Sequence, residues 1–160
     1  MPDPAFDRIA ILGLGLMGGS IAAGLRQREL VRQITAWDRN AEATRHALET
    51  GLIDEVAADI ASAISGAEII VLAVPVRACQ EVLQELVLED QVLTDVGSVK
   101  LHVIDAVRTA MGDVPPRFVP GHPIAGSERH GVAAADPDLF AQHRVILTPL
   151  PEARDDAVAM

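Results

Sequence analysis

The sequence predicts a doubly wound α/β domain: a mostly parallel sheet with helices on both faces. Three observations carry that prediction. Short apolar runs alternate along the chain with longer segments of helical character, the pattern of strands joined by crossover helices. The strongest run, Ile69-Ile70-Val71-Leu72-Ala73-Val74, has no polar residue in it, as expected of a strand covered on both sides. The chain has 160 residues, 49% of them hydrophobic, but only 2% aromatic and no Tyr. Its core is therefore built from Ala, Val, Leu and Ile, and the length suits one domain.

The elements follow in order. Residues 9–12 form an apolar run ending at Gly13 and read as a buried parallel strand. Residues 16–29 read as a helix, with Arg26 and Arg28 in its last turn, where cations complement the helix dipole. Residues 33–37 are the second strand, ending in Asp38. Residues 41–50 are a helix closed by Gly51 as a C-cap, and residues 59–65 a short helix. Residues 68–74 are the third strand, stopped by Pro75, with a helix over residues 76–86. Residues 92–95 are a strand and residues 99–111 a helix. Residues 117–119 are a strand running into Pro120-Gly121-His122-Pro123. Residues 125–142 are rich in Gly, Ala and Asp and read as irregular. Residues 145–148 form a last strand, broken by Pro149 and Pro151. Pro151, with Glu152, Asp155 and Asp156 after it, reads as the opening of a further helix.

Charge excludes several classes of function. The formal net charge is -10, and no basic stripe is present. Nucleic acid and anionic membrane surfaces are therefore not expected partners. Asp3 and Asp7 occupy the N-terminal segment, which has no basic region, and the apolar run after it is short and interrupted by glycine. Neither a signal peptide nor a membrane span is predicted. Cys79 is alone, so no internal disulfide forms, and the chain suits a reducing cytoplasm. Cys79 itself reads as an inert helix residue, and no metal site is predicted.

Gly13-x-Gly15-x-x-Gly18 lies between the first strand and the first helix. The first glycine permits a tight turn, the second lets the backbone approach a pyrophosphate, and the third lets the helix pack close to the strand. The pyrophosphate then lies at the positive end of the helix, beside Leu16 and Met17. This reads as the phosphate-binding turn of a Rossmann-type dinucleotide site, with tight packing without a ligand as the alternative. Asp38 lies 20 residues beyond Gly18, at the end of the second strand. A carboxylate there accepts hydrogen bonds from the adenosine ribose and repels a 2′-phosphate, favouring NAD. Arg39 keeps NADP open, because a guanidinium there could pair with a 2′-phosphate or stack on adenine; it also reads as a solvated loop cation. Val74 and Pro75 end the third strand, on the side where ligands of such sheets bind, or are a plain strand stop.

Two further stretches lie at strand ends. In Asp95-Val96-Gly97-Ser98-Val99-Lys100, Ser98 reads as the N-cap of the next helix. Lys100 then lies in a first helical turn, where a cation opposes the dipole, so a role beyond capping is open for both residues. In Gly121-His122-Pro123-Ile124-Ala125-Gly126-Ser127-Glu128, His122 sits in a constrained turn after a strand. An imidazole there can take a proton from a substrate hydroxyl. His46 and His102 fall on amphipathic helices, and His130 and His143 in the irregular segment. His122 is thus the best placed candidate base, with a structural role as the alternative.

These three stretches, in this order and spacing, resemble the prephenate/arogenate dehydrogenase family of tyrosine biosynthesis. The combination is specific, although each motif alone is not. The resemblance implies NAD(P)-dependent oxidative decarboxylation. Prephenate would give 4-hydroxyphenylpyruvate and arogenate would give tyrosine, each with carbon dioxide and reduced cofactor. It implies that His122 hydrogen-bonds and polarises the 4-hydroxyl, that Ser98 orients the hydroxyl and the nicotinamide, and that Glu128, beside Ser127, lies near the substrate entrance. It further implies residues 1–150 as the dinucleotide-binding domain and residues 151–160 as the start of a further helix, before a helical dimerisation domain that supplies cations for the substrate carboxylates. On that basis the full-length parent is expected to be a homodimer, and the 160 residues alone to bind cofactor weakly and turn over little substrate. The competing readings are a dehydrogenase of the 3-hydroxyacid type, against which Gly121-His122-Pro123 argues, and a cofactor-binding module without catalysis.

Overall fold

The computed structural model describes residues 3–160. Six strands, β1 (Phe6–Leu12), β2 (Val31–Trp37), β3 (Glu55–Val56), β4 (Ile69–Leu72), β5 (Val92–Asp95) and β6 (Phe118–Val119), form one sheet. Their order is β3-β2-β1-β4-β5-β6, and every pairing is parallel. Starting from β1, the chain winds outward to β2 and β3, then returns to the other side of β1 for β4, β5 and β6. This is the doubly wound order of dinucleotide-binding sheets, and the reversal falls between β1 and β4.

The two faces of the sheet divide the core. Successive residues of a strand point to opposite faces. Ile9, Ile11 and Val71 therefore pack on one side with residues of α1 (Leu16–Gln27) and α2 (Ala41–Glu49). Ala10, Leu12, Ile70 and Leu72 pack on the other with α3 (Ile60–Ile64), α4 (Cys79–Gln84) and α5 (Lys100–Met111). Both layers are buried, which is why the central strands carry apolar residues at consecutive positions. Phe118, fully buried, anchors β6 in the second layer and holds the edge from which the His122 segment departs.

Local chemistry sets the helix ends. Asn40 caps α2 through its side-chain oxygen, and Gly51 follows α2 with φ +72. Asp59 and Ser62 form a reciprocal capping box on α3, and the Ser62 hydroxyl and N–H hold the Asp59 carboxyl below its ordinary value. The expected helix over residues 76–86 is divided into a 3-10 turn, Val76–Ala78, and α4.

Several expectations are corrected. β3, two exposed residues, was too short and polar to show a strand pattern. His122 does not lie in a turn: it is the middle residue of β7 (Gly121–Pro123), which pairs antiparallel with β8 (Val145–Leu147), placing His122 opposite Ile146. Pro120 has no N–H to continue the parallel ladder, so the chain leaves the main sheet there and finds a new partner strand. The segment 125–142 is not wholly irregular, because residues Val132–Ala134 form a 3-10 turn packed on α1. Pro151 lies in a turn, and α6 (Asp155–Ala159) begins only after Arg154. That helix lies on the sheet: Ala157 packs with Val92 and Val119, and Asp156 pairs with Arg117. Among the described residues, no helix is long and apolar enough to cross a membrane.

Candidate nucleotide and catalytic site

A cleft of about 850 Å³ opens at the carboxyl ends of β1 and β4, where the strand order reverses. Gly13, Gly15, Leu16, Met17, Asp38, Val74 and Pro75 all line it, so seven of the nine residues expected to hold a cofactor are brought together. Gly18 lies beneath the loop and Arg39 outside the cleft wall. The three glycines serve different ends. Gly13 has φ +103, and a Cβ there would lie 2.6 Å from the carbonyl of Ala73. A Cβ at Gly18 would lie 2.0 Å from the Gly13 oxygen, so α1 can start beside the turn only without one. Gly15 has ordinary backbone angles and open space around its Cβ position. It is the N-cap of α1, and no side chain caps that end. The donors of the first turn are thus left for an anion, and the space that would bring it close is clear.

Asp38 is fixed from two sides. One carboxylate oxygen accepts from the Leu14 N–H at 2.6 Å and the other from the Asn40 N–H at 2.7 Å. The acid is therefore tied to the glycine loop itself, and its remaining lone pairs are available to a ribose. Arg39 is exposed and pairs with Glu81 of α4, whose carboxylate holds the guanidinium above its ordinary value. It lies outside the cleft wall as a solvated loop cation with an exposed carboxylate beside it.

The opposite wall of the cleft includes Gly131, Val132 and Ala133, which sequence reasoning missed. This segment is strapped to α1. The Ser20 hydroxyl accepts from the Asp136 N–H at 3.0 Å, and Arg28 donates to the Pro137 carbonyl at 2.8 Å. A Cβ on Gly19 would come within 3.1 Å of Val132 and Ala135. The Gly19-Ser20 pair was the available signal: two small residues on a helix admit a close neighbour.

The second cluster surrounds Asp95, whose side chain is only 1% exposed. Its Oδ2 accepts from the Gly97 N–H at 2.9 Å and from the Lys100 ammonium. Its Oδ1 accepts from the Gly121 N–H at 3.2 Å. Lys100 also donates to the Gly121 carbonyl. Two earlier readings are corrected here. Ser98 is not the N-cap of α5: Val99 holds that position without a side-chain hydrogen bond, and Ser98 is exposed. Lys100 does not simply oppose the helix dipole, because a buried carboxylate meets its charge. Ser98 and His122 each follow a glycine bound to the same carboxylate. His122 is half-buried.

Ser127 accepts from the Arg129 N–H at 3.1 Å in a local turn, and Glu128 is exposed; neither lines the cleft. Cys79 is buried, and burial pushes its thiol up to about 11, which matches an inert residue. Among the described residues no cluster of three or more His, Cys, Asp or Glu could hold a metal ion.

Comparison with known proteins agrees with this geometry. A family model described as "Prephenate dehydrogenase, nucleotide-binding domain" matches residues 21–160. The prephenate dehydrogenase of Bacillus subtilis is 38% identical over 149 residues, which is 89% of this chain and 39% of that protein. The crystal structure of prephenate dehydrogenase from Aquifex aeolicus, in complex with hydroxyphenyl propionate and NAD+, superposes with a TM-score of 0.86 at 34% identity. That match covers 96% of this chain and 54% of the other. Arogenate dehydrogenase from Synechocystis superposes at 0.81 with 28% identity, over 95% of this chain and 53% of the other. The chain thus spans roughly 39% to 54% of the length of these relatives. The glycine turn, the switch-point cleft and the matches over most of the chain lead to one conclusion: the chain belongs to the prephenate dehydrogenase family and carries that family's nucleotide-binding domain.

Proposed function

We propose that this chain is the cofactor-binding part of an NAD-dependent dehydrogenase that oxidatively decarboxylates prephenate or arogenate. The observation that carries the reading is the joining, through one buried carboxylate, of the Ser98 loop to the His122 strand, beside a glycine-turn cleft whose wall includes Gly97. The residues present fit a dinucleotide: an uncapped helix start, clear space at Gly15, and an anchored acid at Asp38. Asp38, anchored at the end of β2, supports NAD over NADP, since its carboxylate would repel a 2′-phosphate. The Aquifex relative, bound to NAD+ and a hydroxyphenyl acid, supports the same choice.

When bound, NAD supplies the hydride acceptor for the ring carbon that bears the hydroxyl. His122 accepts a hydrogen bond from that hydroxyl and draws its proton as the carbon–hydrogen bond breaks. Ser98 orients the hydroxyl. Loss of the ring carboxylate as carbon dioxide returns its bonding electrons to the ring, which becomes aromatic, and the proton drawn by His122 returns to the phenol oxygen. Glu128 and Ser127 act at the substrate entrance. The dinucleotide-binding domain takes in α6 as well as the residues up to 150, since Ala157 packs on the sheet and Asp156 pairs with Arg117, and cations for the substrate carboxylates come from a second, dimerising domain of a cytoplasmic homodimer. The 160 residues alone bind nucleotide and turn over little substrate.

The test is a steady-state assay of the complete natural polypeptide with each substrate and each cofactor, beside His122→Asn. The variant is expected to lose about 10²- to 10⁴-fold in kcat, the usual contribution of a positioned acid or base. An unchanged kcat would remove His122 from the mechanism.

A further inference from the structure

We infer that Asp95, with Lys100 as its counter-charge, is a positioning residue that sets His122 against Ser98. The inference rests on the reading of His122 and Ser98 as the groups that meet the substrate hydroxyl. The main sheet cannot do this positioning by itself. β5 and β6 pair only through Leu93 with Phe118 and Thr94 with Val119, and the chain turns away at Pro120. At the next position the Asp95 side chain replaces the missing ladder. Its carboxylate takes the Gly121 N–H, and the Lys100 ammonium takes the Gly121 carbonyl, so both backbone polar groups of the residue before His122 are held. The same carboxylate takes the Gly97 N–H, the residue before Ser98.

Sterics make the joint tight. A Cβ on Gly121 would lie 2.9 Å from the Asp95 carbonyl and 3.2 Å from the Thr94 hydroxyl. A Cβ on Gly97 would lie 3.0 Å from the Asp95 carboxylate and 3.1 Å from Val103. Both glycines thus admit the loops to a distance at which one carboxylate reaches both. Burial makes the joint stiff: with 1% of Asp95 and 16% of Lys100 exposed, water has little access to compete for the bonds. A buried pair of this kind is a poor source of stability compared with apolar packing, and specifying one geometry is its better attested use.

The experiment compares the complete natural polypeptide with the double variant Asp95→Asn/Lys100→Met, which keeps the volumes and leaves no unpaired buried charge. Gly121→Ala is the second variant; it crowds the joint without touching either charge. Three quantities are read: kcat, the Kd for NAD from Trp37 fluorescence, and amide hydrogen exchange at Gly97 and Gly121. In both variants kcat is expected to fall about 100-fold, the usual cost of roughly 1 Å of misplacement. Exchange at the two glycines accelerates in the double variant, while the Kd for NAD stays within threefold of wild type. A kcat within threefold of wild type in either folded variant overturns the inference. So does a loss of NAD affinity equal to the loss in kcat, because that is the signature of general damage to the domain. A wild-type protein inactive on both substrates overturns the functional reading and this inference with it, and is distinguished by being seen before any variant is made.

Discussion

Gly15→Ala adds one methyl at the N-cap of α1, in a place where no protein atom lies within 4 Å. The backbone there, φ -84 and ψ -158, is open to any residue. Alanine is a poorer N-cap than glycine by up to about 1 kcal/mol, and the stiffer unfolded chain returns roughly 0.4–1 kcal/mol. Stability should therefore change by less than about 1 kcal/mol. Binding is different, because the open space is read as the approach path of a pyrophosphate. An extra methyl forced into a filled site costs about 1–3 kcal/mol. That corresponds to a roughly 5- to 150-fold rise in Kd. Denaturant unfolding and NAD titration, followed by Trp37 at the end of β2, measure the two effects on one sample. Gly18→Ala is the contrast. Its Cβ would start 2.0 Å from the Gly13 oxygen, so the helix must move by about 1.4 Å to reach ordinary contact, and stability and binding should fall together. If Gly15→Ala binds NAD within twofold of wild type, the pyrophosphate does not pass over Gly15 and the cleft assignment fails.

Other outcomes follow from single contacts. Asp38→Ala removes the acceptor for the Leu14 and Asn40 N–H groups and for the ribose, so NAD should weaken by roughly 10- to 150-fold, at about 1.5–3 kcal/mol for a lost charged hydrogen bond. The preference for NAD over NADP should narrow, and competitive titrations with both nucleotides would show it. Cys79 should resist iodoacetamide at pH 8 in the folded protein and react once unfolded in guanidinium, since burial holds its thiol near 11 instead of 9.0. Because the folded value is the raised one, this group's contribution to stability is full below pH 9 and is lost as pH rises through about 11. Rapid labelling of the native protein at pH 8 would show that the α4 side of the sheet opens readily.

Much of the fold was legible because its signals are local. Consecutive apolar residues from Ile69 to Val74 mark a strand buried on both faces without reference to any partner. The glycine turn was legible for a related reason: Gly13 and Gly18 answer steric demands that arise within a few residues and one neighbouring strand. Asp38 was visible through its spacing, but not the hydrogen bond by which it grips Leu14. β3 escaped because two exposed residues carry no periodicity, and Glu81 escaped because nothing near it in sequence points to Arg39, 42 residues away.

By itself, the sequence determined the doubly wound class and the nucleotide turn, and it singled out Ser98 and His122 as candidates. All of these are written in short-range patterns: apolar runs, glycine spacing, and residue types at strand ends. Only the tertiary structure decided how the pair is held. Lys100 looked like a cation in the wrong helical turn until the fold brought Asp95 beneath it, and His122 looked like a turn residue until β8 arrived to pair with its strand. The physical reason is the same for both. Asp95 lies only five residues before Lys100, yet its burial and its grip on Gly121, 26 residues away, exist only once β5 and β7 are packed together, and β7 finds its partner in the distant β8, so no local pattern records either.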